Sequence, residues 1–131
     1  MQVDAGRPDD LTRVIIAAGL GLSAATLYVL TAARDIVLGD SGELVAAAAT
    51  LGVVHTPGYP LLTLLGHAFA RLPIEPLAFR VNLLSAVASA ATVGLTFLIA
   101  HRLSRNRWAA AVAALLLAAH PLFWEWSLVV E

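Results

Sequence analysis

The densest group of reactive side chains in this sequence is Asp40-Ser41-Gly42-Glu43, which follows a long apolar run. A carboxylate at the mouth of a membrane cavity can serve as a general base, a role that contributes about 10²–10⁴ in rate. The same tetrapeptide has the spacing of a capping box. In that arrangement Asp40 caps a helix beginning near Ser41, and Glu43 reaches back to the amide of the cap. The two readings can coexist, because a cap would hold the carboxylate rigidly.

A second group is His55-Thr56-Pro57-Gly58-Tyr59-Pro60. Pro57-Gly58 is a turn dipeptide, so the stretch reads as a tight turn between two helices. It also reads as a pair of hydrogen-bonding groups, His55 and Tyr59, facing a substrate. No cofactor is demanded by these residues. A divalent metal could be held by His55 with Asp40 and Glu43, but one His with two acids is a weak signal. Arg80 is either an anchor at the membrane interface or a guanidinium whose planar fork holds a phosphate. Asn82, just inside the following apolar run, serves either helix packing or ligand binding. Glu125 and Glu131 close the chain, and Glu131 is a further candidate for contact with substrate.

These residues are positioned by apolar segments. Of the 131 residues 60% are hydrophobic and only 13% charged, too few charges to coat a soluble domain of this length. The net charge of −1 offers no basic surface for nucleic acid. With no cysteine, disulfides and thiolate chemistry are excluded. Uncharged runs from Val14 to Ala33 and from Val81 to Ala100 match the ~20 residues that cross a bilayer as a helix. A third run, Trp108 to Trp124, is flanked by indole rings of the kind that favour the headgroup level, and Pro121 should bend or end its helix. The first run exceeds the ~7–15 apolar residues of a cleaved signal peptide, which favours an uncleaved span.

Leu44 to Gly66 is also uncharged, but its two prolines and Gly58 would leave backbone groups unsatisfied in lipid. A fourth span there would also place Arg102, Arg105 and Arg107 on the side opposite Arg7 and Arg13, against the positive-inside rule. The expected architecture is therefore all-α. It has a cytoplasmic N-terminus (1–13), membrane helices over 14–33, 81–100 and 108–126, and an extracytoplasmic loop (34–80). That loop carries two short interfacial helices, Leu44–Val54 and Leu61–Leu72. A cytoplasmic connector covers 101–107 and an extracytoplasmic end 127–131.

In order and spacing, Asp40-Ser41-Gly42-Glu43, Leu51-Gly52, His55 to Leu61, Arg80-Val81-Asn82-Leu83 with Ser85, Phe123-Trp124 and Val130-Glu131 form a series. With that series the chain resembles bacterial multi-spanning membrane proteins grouped as domain of unknown function 2723, related to protein O-mannosyltransferases. Thr56 departs from the family, which often has a second Pro there. The family also continues with many more spans, so the chain looks like the N-terminal piece of a longer protein. The resemblance implies a GT-C type glycosyltransferase in a bacterial inner membrane. Such an enzyme moves a sugar from a polyprenyl-phosphate carrier to an extracytoplasmic acceptor, which could be a protein hydroxyl. It implies Asp40, with Glu43 beside it, as the acidic residue after the first span. Arg80, or a residue further along, would face the phosphate. Three helices are few to enclose donor and acceptor, so the piece alone is expected to be inactive. The alternative is a small non-enzymatic membrane subunit whose outer loop docks a partner protein. A transporter fragment is weaker, because no charged residue sits midway in a span.

Overall fold

The structure, a computed structural model, describes residues 8–74 and 76–131; the N-terminal segment before Pro8 and Glu75 lie outside the described residues. Among these residues the chain is all-helical, in the order α1 (Pro8–Thr31), α2 (Ser41–Thr50), α3 (Pro60–Ala70), α4 (Leu77–Ser104), α5 (Arg107–Ala118) and α6 (Pro121–Ser127). Two of them, α1 with 24 residues and α4 with 28, are long and apolar enough to cross a membrane. α4 extends past its uncharged run (81–100) at both ends, whereas α1 begins before its run (14–33) but ends at Thr31, two residues short of Ala33. Pro8 stands at the first helical position of α1, where its missing N–H costs nothing.

Small residues let α1 and α4 approach closely. A Cβ added to Gly94 would stand 3.0 Å from the Ala17 carbonyl oxygen and 3.9 Å from the Gly21 Cα, the kind of contact that drives helix association where lipid removes the hydrophobic incentive. Around this seam Ala17, Ala24, Tyr28, Ala86, Ala90, Val93 and Phe97 form the main core with Ala110 and Ala114 of α5.

The third apolar run is two helices, α5 and α6, with axes 64° apart. Pro121 has no N–H for the Leu117 carbonyl and its ring crowds the preceding turn. The helix therefore breaks, and His120 donates its N–H to Leu117 O at 3.1 Å. The next carbonyl, Ala118 O, accepts from the Tyr28 hydroxyl at 2.9 Å. Tyr28 is completely buried and meets Trp124 edge-on at 5.3 Å. The break thus leaves these two carbonyls paired within apolar surroundings, where an orphaned one would be costly.

At the same end of the bundle α2 and α3 pack on each other and on the start of α4. With 10 and 11 residues, they span about 15–17 Å at ~1.5 Å per residue, too little to cross a bilayer. Leu44, Val45, Ala47, Ala48, Val54, Ala78 and Val81 make a second core that also takes in Val130. Asn82, fully buried in α4, ties this end together. Its Nδ2 donates to Ala33 O and its Oδ1 accepts from the Val130 N–H, both at 2.9 Å. Ala33 in turn donates its N–H to Leu128 O at 3.0 Å. The segments leaving α1 and α6 are therefore fastened to α4 and to each other.

Asn82→Leu keeps the number and branching of the side chain's heavy atoms and removes both bonds, leaving a part-buried carbonyl and a buried N–H unpaired, at about 1–3 kcal/mol for the buried group. Thermal unfolding in neutral detergent should show a clearly lowered midpoint, while exposed Thr92→Ala should leave it unchanged. A fully stable Asn82→Leu protein would remove the tie as a determinant of the fold.

Candidate functional site

The site is built where the chain leaves α1 and enters α2. Gly39 adopts a φ of +101°, which only glycine accepts easily, and turns the chain into Asp40. In α2, Leu44, Val45, Ala47 and Ala48 face the core, so Asp40 and Glu43 are left on the open side. After Thr50 the chain reverses through Leu51, which is left-handed with a φ of 54°, and Gly52 donates its N–H to Ala47 O at 3.0 Å. This reversal returns His55 to the first turn of α2. A second turn follows, in which Gly58 donates its N–H to His55 O at 2.7 Å. Tyr59 then precedes Pro60, which starts α3 at a position that needs no donor.

The capping box expected at Asp40 and Glu43 does not form. Asp40 holds the N-cap position, but its backbone is already in the right-handed helical region and its side chain makes no cap bond. Glu43 instead reaches across to the returning strand of chain. Its Oε1 accepts the His55 backbone N–H at 2.7 Å, and its Oε2 pairs with His55 Nδ1 at 2.8 Å. With the ring proton on Nδ1, the neutral imidazole presents an acceptor Nε2 to Asp40 Oδ2, 3.7 Å away. Tyr59 meets the same ring edge-on at 5.7 Å. The order Glu43–His55–Asp40 thus has one carboxylate orienting an imidazole whose far nitrogen looks at a second carboxylate.

The hydrogen bond to His55, helped by the backbone N–H, holds Glu43 below its ordinary value of 4.5. The bond to Glu43 raises His55 above 6.5, against a smaller opposing effect of desolvation and with help from the charges of Glu43 and Asp40. The His55 and Asp40 side chains are 44% and 59% exposed, so solvent screens these charges. Asp40, Glu43 and His55 each offer a ligand atom, all within 4.8 Å of one another. That set suits a divalent cation only with water completing the shell, since Mg²⁺ and Ca²⁺ take about six to eight ligands.

The other sequence-derived candidates are placed differently. Glu131 reaches the turn before Asp40: its carboxylate lies over Gly39, where any Cβ would collide with Oε1. With Glu125, Trp126, Thr31, Val37 and Leu38 it lines a cleft of about 460 Å³. Arg80 is half-buried and donates through Nη1 to Ala70 O (2.7 Å) and Leu72 O (3.0 Å) at the C-terminal end of α3, a favourable place for a cation. The amide of Asn82 is committed to the two backbone groups described above. Gly39 is a site residue that the spacing of reactive groups does not reveal. The turn-forming Gly39-Asp40 pair is its only signal.

Residues 40–131 match the family model described as the protein O-mannosyl-transferase TMEM260 N-terminal domain. Among curated proteins, the protein O-mannosyl-transferase TMEM260 of Mus musculus is 42% identical over 110 residues, covering 83% of this chain and 16% of the mouse protein. The protein O-mannosyl-transferase tmem260 of Dictyostelium discoideum is 30% identical over 112 residues, covering 83% of this chain and 14% of that protein. The chain therefore corresponds to a small fraction of the length of these relatives. No solved structure matches it.

The pair of shifts defines a pH window. The stabilisation from the raised His55 is full below about 6.5 and is lost as pH rises through its higher folded value. That from the lowered Glu43 is full above about 4.5 and is lost as pH falls through its lower folded value. The tether of His55 to α2 should thus be strongest between those two ordinary values. Histidine-selective NMR titration should show the His55 midpoint falling toward 6.5 in Glu43→Gln, and an unmoved midpoint would refute the pairing.

Proposed function

Since this chain belongs to the family of protein O-mannosyl-transferase TMEM260 N-terminal domains, we propose that it is the N-terminal part of a membrane glycosyltransferase of the GT-C type, with Asp40 as the general base. The observation that carries this reading is the convergence of Asp40, His55 and Glu43 in the loop directly after the first long apolar helix. It falls within the stretch matched to the family.

In this reading α1 and α4 are the first two spans and the bent pair α5–α6 acts as the third. The N-terminus and the Arg-rich α4–α5 connector then lie on the cytoplasmic side, by the positive-inside rule. The Asp40 loop, the short helices α2 and α3 and Glu131 lie on the extracytoplasmic face. The membrane is the bacterial inner membrane that the resemblance to the domain-of-unknown-function 2723 proteins implies.

The donor is a sugar linked through phosphate to a polyprenyl lipid, and the acceptor is a hydroxyl, of a protein side chain in the most direct case. As the acceptor oxygen bonds to the anomeric carbon, its proton passes to the Asp40 carboxylate. The bond between that carbon and the donor phosphate oxygen breaks, and the phosphate leaves on its lipid. Carboxylate activation of a nucleophile at an anomeric centre is the logic of glycosyl chemistry in general. His55 Nε2, 3.7 Å from Asp40 Oδ2, would take the proton onward once that gap closes to hydrogen-bond distance, with Glu43 keeping the imidazole in orientation. Tyr59 and Glu131 border the same loop and contact substrate. Arg80 and Asn82 bear on substrate through the elements they hold, the end of α3 and the α1–α6 tie. A divalent cation, where one is used, would sit among Asp40, Glu43 and His55.

In the full-length protein Asp40→Asn should abolish sugar transfer from a lipid-phosphate donor, a loss of at least about 10²-fold, with expression and detergent stability retained. His55→Gln should lower transfer by less. Full activity in Asp40→Asn would take Asp40 out of the mechanism.

A further inference from the structure

The end of the bundle opposite Asp40 gathers cations more tightly than sidedness in a membrane requires. Arg13 from α1, His101 and Arg102 from the last turn of α4 and Arg105 from the α4–α5 junction line one concavity of about 330 Å³. Arg13, His101 and Arg105 continue with Arg107 around an adjoining hollow of about 270 Å³. The positive-inside rule needs only a number of arginines near a membrane end. Here residues far apart in sequence converge on one space.

The backbone enforces this convergence. Arg105 sits at a φ of 53° in the left-handed region, closing α4 with its N–H on His101 O at 2.9 Å. Glycine or asparagine is the usual residue at such a helix terminus. Only Arg105 and Asn106 join α4 to α5, and Asn106 Oδ1 caps α5 by accepting from the Trp108 and Ala109 N–H groups at 2.9 and 3.3 Å. The junction is thus a short, capped turn, and it carries Arg105 toward Arg13. A third hollow, of about 390 Å³, shares Arg13 and Arg102 with the first and is bordered also by Asp10, which pairs with Arg13. That third hollow is largely apolar, since Val14, Leu98 and Ile99 line it beside Arg13 and Arg102. Guanidinium forks above an apolar helix surface match the layering of a lipid headgroup, whose phosphate sits above its acyl chains.

We propose that Arg13, Arg102 and Arg105 form a binding site for the phosphate of an anionic phospholipid headgroup at this end of the bundle. The proposal is independent of the chemistry at Asp40 and is tested without any activity assay. The full chain in neutral detergent is titrated with phosphatidylglycerol, phosphatidylcholine or inorganic phosphate, and bound species are counted by native mass spectrometry. Phosphatidylglycerol should bind at about tenfold lower concentration than phosphatidylcholine, the size expected of one to two interfacial arginines at ~1 kcal/mol each, because both lipids carry the phosphate and differ in net charge.

Arg105→Gly is the decisive variant, because glycine suits the left-handed backbone there and the helices should stay intact by circular dichroism. It should erase most of that preference, as should Arg102→Gln, whereas Arg34→Gln at the other end should not. An unchanged preference in Arg105→Gly, or equal binding of the two lipids by the parent protein, overturns the site. Binding of inorganic phosphate as strong as that of phosphatidylglycerol overturns the lipid assignment in favour of a soluble phosphate compound.

Discussion

The end of the bundle that carries α2, α3 and α6 depends on one buried amide. Asn82 lies in a long apolar helix yet has no contact with solvent, and each half of its carboxamide meets a backbone group from a different part of the chain. Buried backbone donors and acceptors must be paired, and the segments that leave α1 and α6 have no helix of their own to supply partners at those points. Asn82 supplies both. The constraint reaches the site, because Val130 is held one residue before Glu131, and Glu131 lies over Gly39 at the entrance to Asp40. A donor and an acceptor on one side chain thus set where the first loop and the end of the chain meet.

The same requirement explains other irregular features of the bundle. Pro121 breaks the third apolar run, and the Tyr28 hydroxyl, reaching from α1, takes up the Ala118 carbonyl that the break frees. At the end of α3 the carbonyls of Ala70 and Leu72 are taken by Arg80. In each case a long side chain from a neighbouring helix completes hydrogen bonding that the local helix cannot, which is how broken helices persist in apolar surroundings. Close backbone approach at Gly94 and Ala17 does the complementary work, supplying van der Waals contact along α1 and α4 where burial from water offers little.

At the site, a competition between local and distant partners decides the geometry. Glu43 is spaced to cap its own helix, and instead it bonds twice to His55, twelve residues later. A bidentate, charge-assisted contact to a ring and a main-chain N–H outweighs a single bond to the cap amide. The consequence is an asymmetry in bonding between two nearby carboxylates. Glu43 is engaged and held acidic by its partner, while Asp40 keeps its oxygens toward the open side and toward His55 Nε2. In the proposed mechanism one orients the ring and the other accepts the proton.

Composition and spacing alone established that the chain is helical and built for a membrane, because a backbone that must satisfy its own polar groups leaves few alternatives for uncharged runs of that length. They also marked the Asp40 and His55 motifs as the reactive stretches, since carboxylates, an imidazole and turn residues there have no part in an apolar core. The pairing within those motifs was decided only by the fold. A helix period brings Glu43 back to Asp40, and only the left-handed reversal at Leu51 and Gly52 brings His55 to Glu43. Arg80 and Asn82 were legible as polar residues at the head of a long apolar run, but their targets are carbonyls and an N–H contributed by the end of α3 and by the segments that follow α3, α1 and α6. Those partners are 8 to 49 positions away in the chain, so no local pattern encodes them and tertiary packing alone selects them.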